Sequence, residues 1–451
     1  MYRLFGFFLI SVLAWSQAQF GTIGGRATDS SAAIMPGLNV TVSNTETGQS
    51  VTVTTNETGV YLVPQLLPGV YDIRAEQTGF KALVVKGVRV EINQNVTQDL
   101  TLEVGAVTES IAVKSTASMV DTVSGTVGHV VENKEILELP LNGRNVFDLV
   151  NLTPASFRIG GEVSIAGGRT SSASAMLDGV TNSRGGIGAQ GIEINPPVDI
   201  MQEFRVEANG FSAQYGRSNA GIVNATTKSG TNEFHGVMYE FLRNNVLDSR
   251  GWNADEKAPL RRNQFGGSIG GPIQRNKSFF FYNLDAFVER RGVVRTRTVP
   301  LSTWRAGDLS AVTRQVNTAA GPTPAALVVY DPDTGQRTPF PNNLIPTSRL
   351  DPVAQKAIAL VPLPNRPPDN PITQGGNWQE NSSNPTDRVH HTVRIDHSFN
   401  DNTKIFGRYI LVTPDTNPTA MTQGFGVADP DAIDIKNRRQ NFALNLNHVL
   451  S

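Results

Sequence analysis

Three stretches of this 451-residue sequence have residue types and spacing that could do chemistry. Gly266-Gly267-Ser268-Ile269-Gly270 satisfies the G-x-S-x-G pattern of a nucleophile elbow, where a strained strand-to-helix turn exposes a serine hydroxyl. Here the motif sits inside a glycine-rich strand pattern with Pro272 just beyond, so the turn that the chemistry needs is missing. His390, His391 and His397 offer imidazole nitrogens, yet adjacent residues of a strand point to opposite faces. Solvated or interfacial histidines fit that pattern better than a metal site. The glycine-rich run Ser183–Gly191 lacks the G-x-x-x-x-G-K-S/T of a phosphate loop, and no helix start follows it. A mobile apex loop is the better reading. With no cysteine in the sequence, disulfides, thiol catalysis and zinc-thiolate sites are excluded. The residues therefore predict no catalytic group, no metal and no cofactor.

The bulk properties point the same way. A net charge of -1 gives no electrostatic footprint for nucleic acid. Abundant Thr, Asn, Gly and Val with few charged helical runs favour β structure. Met1-Tyr2-Arg3, the apolar run Leu4–Trp15 and Ser16-Gln17-Ala18 form a cleavable signal peptide over residues 1–18. No other apolar run approaches the length of a membrane-spanning helix, so any crossing of a membrane must use a β-barrel.

Residues 19–103 read as a β-sandwich, with short strands at Gly21–Thr28, Leu38–Asn44, Ser50–Thr55, Gly59–Val63, Gly69–Gln77, Lys81–Val90 and Asn95–Leu102. Turn residues separate them, as at Asn56-Glu57-Thr58-Gly59 and Leu67-Pro68-Gly69. Tyr61, Tyr71 and Phe80 are expected in the core or at an edge. A linker follows over residues 104–130, and then a small α/β unit over residues 131–230. In that unit a short helix is expected to start at Asn133 and end at Pro140. Asp178-Gly179 and Tyr215-Gly216 mark turns, and Phe204–Ala208 and Gly221–Thr227 pair as strands. Phe204, Val206 and Ala208 share one face of the first of these.

From residue 231 to residue 451 the alternation becomes long and aromatic, with about ten residues per strand, as in a tilted membrane strand. Val237, Tyr239 and Phe241 share one face. Phe280, Tyr282, Leu284, Ala286 and Val288 alternate with Asn283, Asp285 and Glu289, a pattern that is apolar outward and polar inward. The connection Gln274–Lys277 is short, whereas Asn244–Arg261 and Arg291–Asp387 are long. The last of these holds about half of the 26 prolines, which excludes central strands there. Six strands are expected, against roughly twenty-two for a barrel that holds a plug. The fold class is thus mainly β: a sandwich, an α/β plug, and the first strands of an incomplete transmembrane antiparallel barrel. The expectation is the N-terminal part of a larger receptor, or a truncated gene product.

Several phrases carry a family resemblance. Met201-Gln202-Glu203-Phe204-Arg205-Val206, Tyr215-Gly216-Arg217 and Gly221–Lys228 resemble the end of a TonB-dependent receptor plug, although Ala220-Gly221 replaces its paired glycines. Leu139–Asn145, which contains Gly143 and Arg144, and Met176–Val180, which contains Asp178 and Gly179, resemble the plug of Oar-like receptors. Gly21–Asp29, Asn56–Tyr61 and Leu67–Ala75 resemble carboxypeptidase-regulatory-like domains, which are non-catalytic. Glu109-Ser110-Ile111-Ala112-Val113-Lys114-Ser115 resembles the TonB box, with Ala112 and Lys114 departing from the commonest form. A six-residue alternating run is equally one more strand of the sandwich or plug. The resemblance implies an outer-membrane uptake receptor whose partners are a periplasmic TonB-type energy-coupling protein, outer-membrane lipid and an unidentified extracellular ligand. The alternative is a surface or periplasmic module that binds carbohydrate through its sandwich.

Overall fold

The computed structural model describes residues 20–449, except 106–109, 115–126, 160–161, 170–171, 184–191, 210–214, 216–217, 219, 251, 253–256, 320, 336 and 417–435. The expected signal peptide, residues 1–18, and most of the glycine-rich loop lie outside the described residues.

The first unit is a two-sheet sandwich. Its strands are β1 (Gly21–Asp29), β2 (Asn39–Asn44), β3 (Ser50–Thr54), β4 (Val60–Leu66), β5 (Gly69–Glu76), β6 (Ala82–Val90), β7 (Asn95–Thr97) and β8 (Leu100–Leu102). β9 (Ser110–Lys114) completes it. One sheet has the order β4-β1-β7, with β8 also on β1, and the other β3-β2-β5-β6-β9. Inward residues of both sheets, including Ile23, Val40, Ile73, Val85 and Leu100, form the core. Tyr61 and Tyr71 are buried there, and their hydroxyls donate to Gln98 O at 2.6 Å and Leu67 O at 2.7 Å. Their rings are thus core, as the sequence predicts.

The second unit is built on the mixed sheet β10-β15-β16-β13-β14. Its elements are β10 (Val127–Glu132), α1 (Asn133–Glu138), a 3-10 turn at Val146–Leu152, the hairpin β11 (Ser156–Ile159) and β12 (Glu162–Ile165), β13 (Ala173–Leu177), β14 (Val180–Thr181), β15 (Met201–Asn209) and β16 (Gly221–Thr227). A capping box starts α1, with Glu132 and Glu135 reciprocally bonded. The expected pairing of β15 with β16 is present and antiparallel. Asp178 and Gly179 have φ of 51° and 75°, the left-handed pair that a tight β13–β14 turn demands.

The third unit is a six-stranded antiparallel wall, β17-β18-β19-β24-β25-β26. Its first strands are β17 (His235–Asn244), β18 (Leu260–Gln274) and β19 (Ser278–Arg297). A long excursion carries two small hairpins, β20 (Thr313–Thr318) with β21 (Gly321–Ala326) and β22 (Tyr330–Asp331) with β23 (Thr338–Pro339). The wall ends with β24 (Trp378–Asn400), β25 (Thr403–Thr416) and β26 (Lys436–His448). The expected number of wall strands is right, but the excursion is shorter than the prolines suggest. β19 and β24 stay paired as far as Arg297↔Trp378, through Arg290↔Pro385. Pairing of β24 with β25 begins only at Asp387, so the missing N–H of Pro385 can face an unpaired side.

Many inward positions of the wall are polar and buried, among them Asn283, Asp285, Glu289, His390, Thr392, Arg394 and Arg408, with the apolar Phe279, Phe281, Ile410 and Val412 between them. Outward ones are exposed and apolar, such as Ile269, Val393, Ile395, Phe399, Phe442 and Leu444. Two expectations need correction. Val237, Tyr239 and Phe241 point inward, since Tyr239 Oη donates to Asp285 at 2.7 Å and Arg144 lies 3.9 Å over the Phe241 ring. His390 is buried inward rather than solvated, while His391 and His397 face outward beside Tyr282 and Ser278. The serine of the G-x-S-x-G motif lies mid-strand in β18, opposite Asn283.

Candidate functional site

The second unit is gripped from two sides, by the wall and by the sandwich. The β13–β14 turn places Asp178 in full burial against the wall. Its Oδ1 accepts from Thr227 N at 2.9 Å and its Oδ2 from Thr227 Oγ1 at 2.9 Å. Arg394 Nη1 lies 3.3 Å and Arg408 Nε 2.6 Å from this carboxylate. The second approach is an ion pair rather than an aligned hydrogen bond, because Nε of Arg408 has no acceptor in line. Arg394 is also bidentate on Asp396, at 2.8 and 3.0 Å, and donates to Thr227 O at 3.0 Å. Arg408 Nη2 donates to Leu177 O at 3.1 Å. Two aspartates and two arginines thus close a charge-neutral cluster between the plug turn and two neighbouring wall strands. Burial without that pairing would be prohibitive.

Arg144 makes a second junction. Gly143 and Arg144 take φ of 89° and 48°, which turns the arginine toward the wall. Its Nη2 donates to Asp199 at 2.7 Å while the guanidinium lies over Phe241. The preceding Asn142 Oδ1 accepts from Arg243 at 2.6 Å and from Arg262 at 3.1 Å. Gly266 makes room for this arrangement: a Cβ there would stand 2.1 Å from Leu284 O and 2.9 Å from Tyr239 Oη. Between Arg144, Asn195, Asp285, Glu289, Arg388 and His390 lies a polar cavity of about 250 Å³. Among the described residues, Nε of Arg144, Oδ1 of Asn195 and Nδ1 of His390 have no hydrogen-bond partner.

The sandwich covers the other side. Its turn at residues 91–94 inserts Ile92, fully buried, against β15. Ile92 N donates to the Glu203 carboxylate, Asn93 Nδ2 donates to Glu207 Oε1 at 3.0 Å and bonds the Tyr215 hydroxyl, and Arg89 pairs with Glu132 at 3.0 Å. Burial pushes the Glu203 carboxyl up to about 7. Thr47 O accepts from Asn232 at 2.7 Å, and Asn276 N donates to Asn232 Oδ1 at 2.8 Å, next to the short turn between β18 and β19. These contacts put the sandwich at the short-turn rim of the wall.

The predicted site residues divide accordingly. Asp178, Gly179, Gly143 and Arg144 stand at plug–wall junctions, and Tyr215 at the plug–sandwich junction. Glu109, Ser115 and Gly216 lie outside the described residues. Ser110–Lys114 is β9, paired in parallel with β6 from Ala82↔Ser110 to Lys86↔Lys114. Sequence reasoning missed Arg394, Arg408, Glu203 and Glu207. Their alternation marks them as polar-face residues, but nothing local names their partners.

Comparison with known proteins fits this architecture. The family model of the outer membrane beta barrel domain matches residues 226–451. The chain belongs to that outer-membrane β-barrel family. Its place is the cell outer membrane. The carboxypeptidase regulatory-like domain model matches residues 22–103 of this barrel-family chain. A TonB-dependent transporter, Oar of Myxococcus xanthus, is 26% identical over 282 residues, 58% of this chain and 26% of the transporter. The chain thus spans about a quarter of the length of that relative. Two solved structures are also similar. The outer membrane transporter YddB from Escherichia coli has a TM-score of 0.40 and 10% identity, covering 66% of this chain and 34% of its own. A mutant of the ferric enterobactin receptor PfeA from Pseudomonas aeruginosa has a TM-score of 0.36 and 10% identity, covering 70% and 38%.

Proposed function

We propose that this chain acts in a TonB-dependent outer-membrane receptor that takes up an extracellular ligand without enzymatic chemistry. In this reading residues 19–103 form a periplasmic sandwich, 104–130 a linker that lends β9 with the coupling segment to the sandwich sheet and the start of β10 to the plug sheet, 131–230 a plug and 231–451 barrel wall set in outer-membrane lipid. The observation that carries it is the plug turn at Asp178, held to inward-facing Arg394 and Arg408 of the wall. The plug core also packs on Phe281, Ile410 and Val412 of the wall, so the ion pairs and hydrogen bonds are the part of the fastening in which water can replace the partners. Ligand recognition falls to the side of the plug facing the long connections, where the polar cavity beside Arg144 opens. Coupling falls to Glu109–Ser115, by pairing of its backbone with a strand of a periplasmic TonB-type protein.

The test is fractionation with heat-modifiable migration, combined with energised uptake by cells whose only copy lacks residues 109–115. Outer-membrane recovery with uptake lost on deletion supports the reading; a soluble periplasmic product refutes it. No observation favours carbohydrate binding by the sandwich, since Tyr61 and Tyr71 are committed to its core.

A further inference from the structure

β9 is an unusual strand. It is the last strand of its sheet, runs parallel to β6, and pairs with it over five residues. Among the described residues no strand pairs with its other edge. Ala112, in register with Val84 on the outer face, is exposed. Val113, in register with the buried Val85, is still 43% exposed. The strand is therefore held chiefly through one backbone edge, and it is already extended. Natural edge strands are usually shielded by charge, proline or a bulge. Here the five residues SIAVK carry only Lys114 for that purpose.

We propose that the sandwich presents the coupling segment: β6 orders Ser110–Lys114 as a strand, and the TonB-type partner adds its own strand to the free edge of β9. This rests on the coupling role proposed above and goes beyond it, because the receiving surface becomes a six-stranded sheet shared by two proteins. The sandwich then supplies pre-ordering, which removes part of the entropy cost that a flexible segment meets on binding. Pulling on β9 would load the sandwich, which touches the plug at Glu203 and Glu207.

The experiment uses the full chain, whose lack of cysteine makes an engineered pair the sole thiols. In Val84→Cys/Ala112→Cys, neighbouring strands bring the Cα atoms to about 4.8 Å, within disulfide range. Binding of the recombinant periplasmic domain of the host's TonB protein is then measured, oxidised and reduced. Near-complete oxidation is expected, with affinity kept within about threefold, since the locked strand is already in the binding conformation. Failure to oxidise overturns the docked strand. Loss of about tenfold or more on oxidation, restored by reduction, shows that the segment must leave β6 and overturns presentation. Efficient oxidation with no binding in either state rejects the coupling role itself and the proposal with it.

Discussion

Asp178→Asn is the sharpest perturbation of the plug–wall junction. The substitution keeps the side-chain shape and one oxygen for Thr227 N, but removes the charge facing Arg394 and Arg408. Arg394 retains Asp396. Arg408 has no other carboxylate in salt-bridge range among the described residues, and its remaining acceptors are neutral oxygens of Leu177 and Asn441. Removing one partner of a buried pair costs about 3–5 kcal/mol. Because half of the cluster survives, the lower end, about 3 kcal/mol, is expected. That is on the order of a hundredfold in the opening equilibrium. Amide hydrogen exchange of the intact chain reads it: Thr227 and the amides of β13 and β16 should exchange faster by that factor, while the sandwich amides stay unchanged. Asp178→Asn/Arg408→Met should recover part of the loss, since it also removes the stranded cation. A change below about threefold, or strict additivity in the double variant, refutes the cluster as a fastening of the plug to the wall.

Three further outcomes are expected. Glu203 has a folded pKa raised by burial from 4.5 to about 7, so the native state holds a proton that the unfolded chain releases; stability falls as pH rises through that window, and Glu203→Gln should flatten the fall. Thermal unfolding at pH 5, 6 and 7 checks this, and parallel pH profiles for the two proteins contradict it. Gly266→Ala pushes a methyl group into Leu284 O and the Tyr239 hydroxyl, and should cost about 1–3 kcal/mol, read as a lower urea midpoint. Tyr61→Phe removes a buried donor to Gln98 O and should cost about 1 kcal/mol in the same measurement, with the plug–wall amides unaffected.

Much of the fold was legible because its elements are local. Alternation and turn residues mark the sandwich strands to within a few residues, and Asp178-Gly179 announces the turn that its φ angles display. What alternation cannot supply is the sign of a face. Val237, Tyr239 and Phe241 share a side, as the period requires, but that side is the interior, where Arg144 and Asp285 use the rings and the hydroxyl. For the same reason Arg394 and Arg408 are recognisable as polar-face residues, while their joint partner lies more than two hundred residues earlier. The segment Ser110–Lys114 was ambiguous between coupling strand and sandwich strand. The structure makes it a sandwich strand, and that leaves the other role open, because among the described residues only one of its edges is paired.

β15 shows how one strand serves both grips. Phe204 and Val206 point into the plug core, and Glu203 and Glu207 point at the sandwich turn, so residues 203–208 are buried from both sides. Its antiparallel partner β16 ends at Thr227, whose backbone and hydroxyl are bound by Asp178 and Arg394. A displacement of the sandwich therefore acts on Glu203 and Glu207, and through the β15–β16 ladder it reaches Thr227 at the wall junction. The path consists of hydrogen bonds at the sandwich end, hydrogen bonds and ion pairs at the wall end, and between them the β15–β16 ladder with its register shift between Met201 and Glu203. If the ladder carries the load, Asp178→Asn should lower the force or denaturant needed to free the plug, yet leave the contact of Asn93 with Glu207 intact. Loss of both contacts together would mean instead that the plug melts as a unit, with no directed path through it.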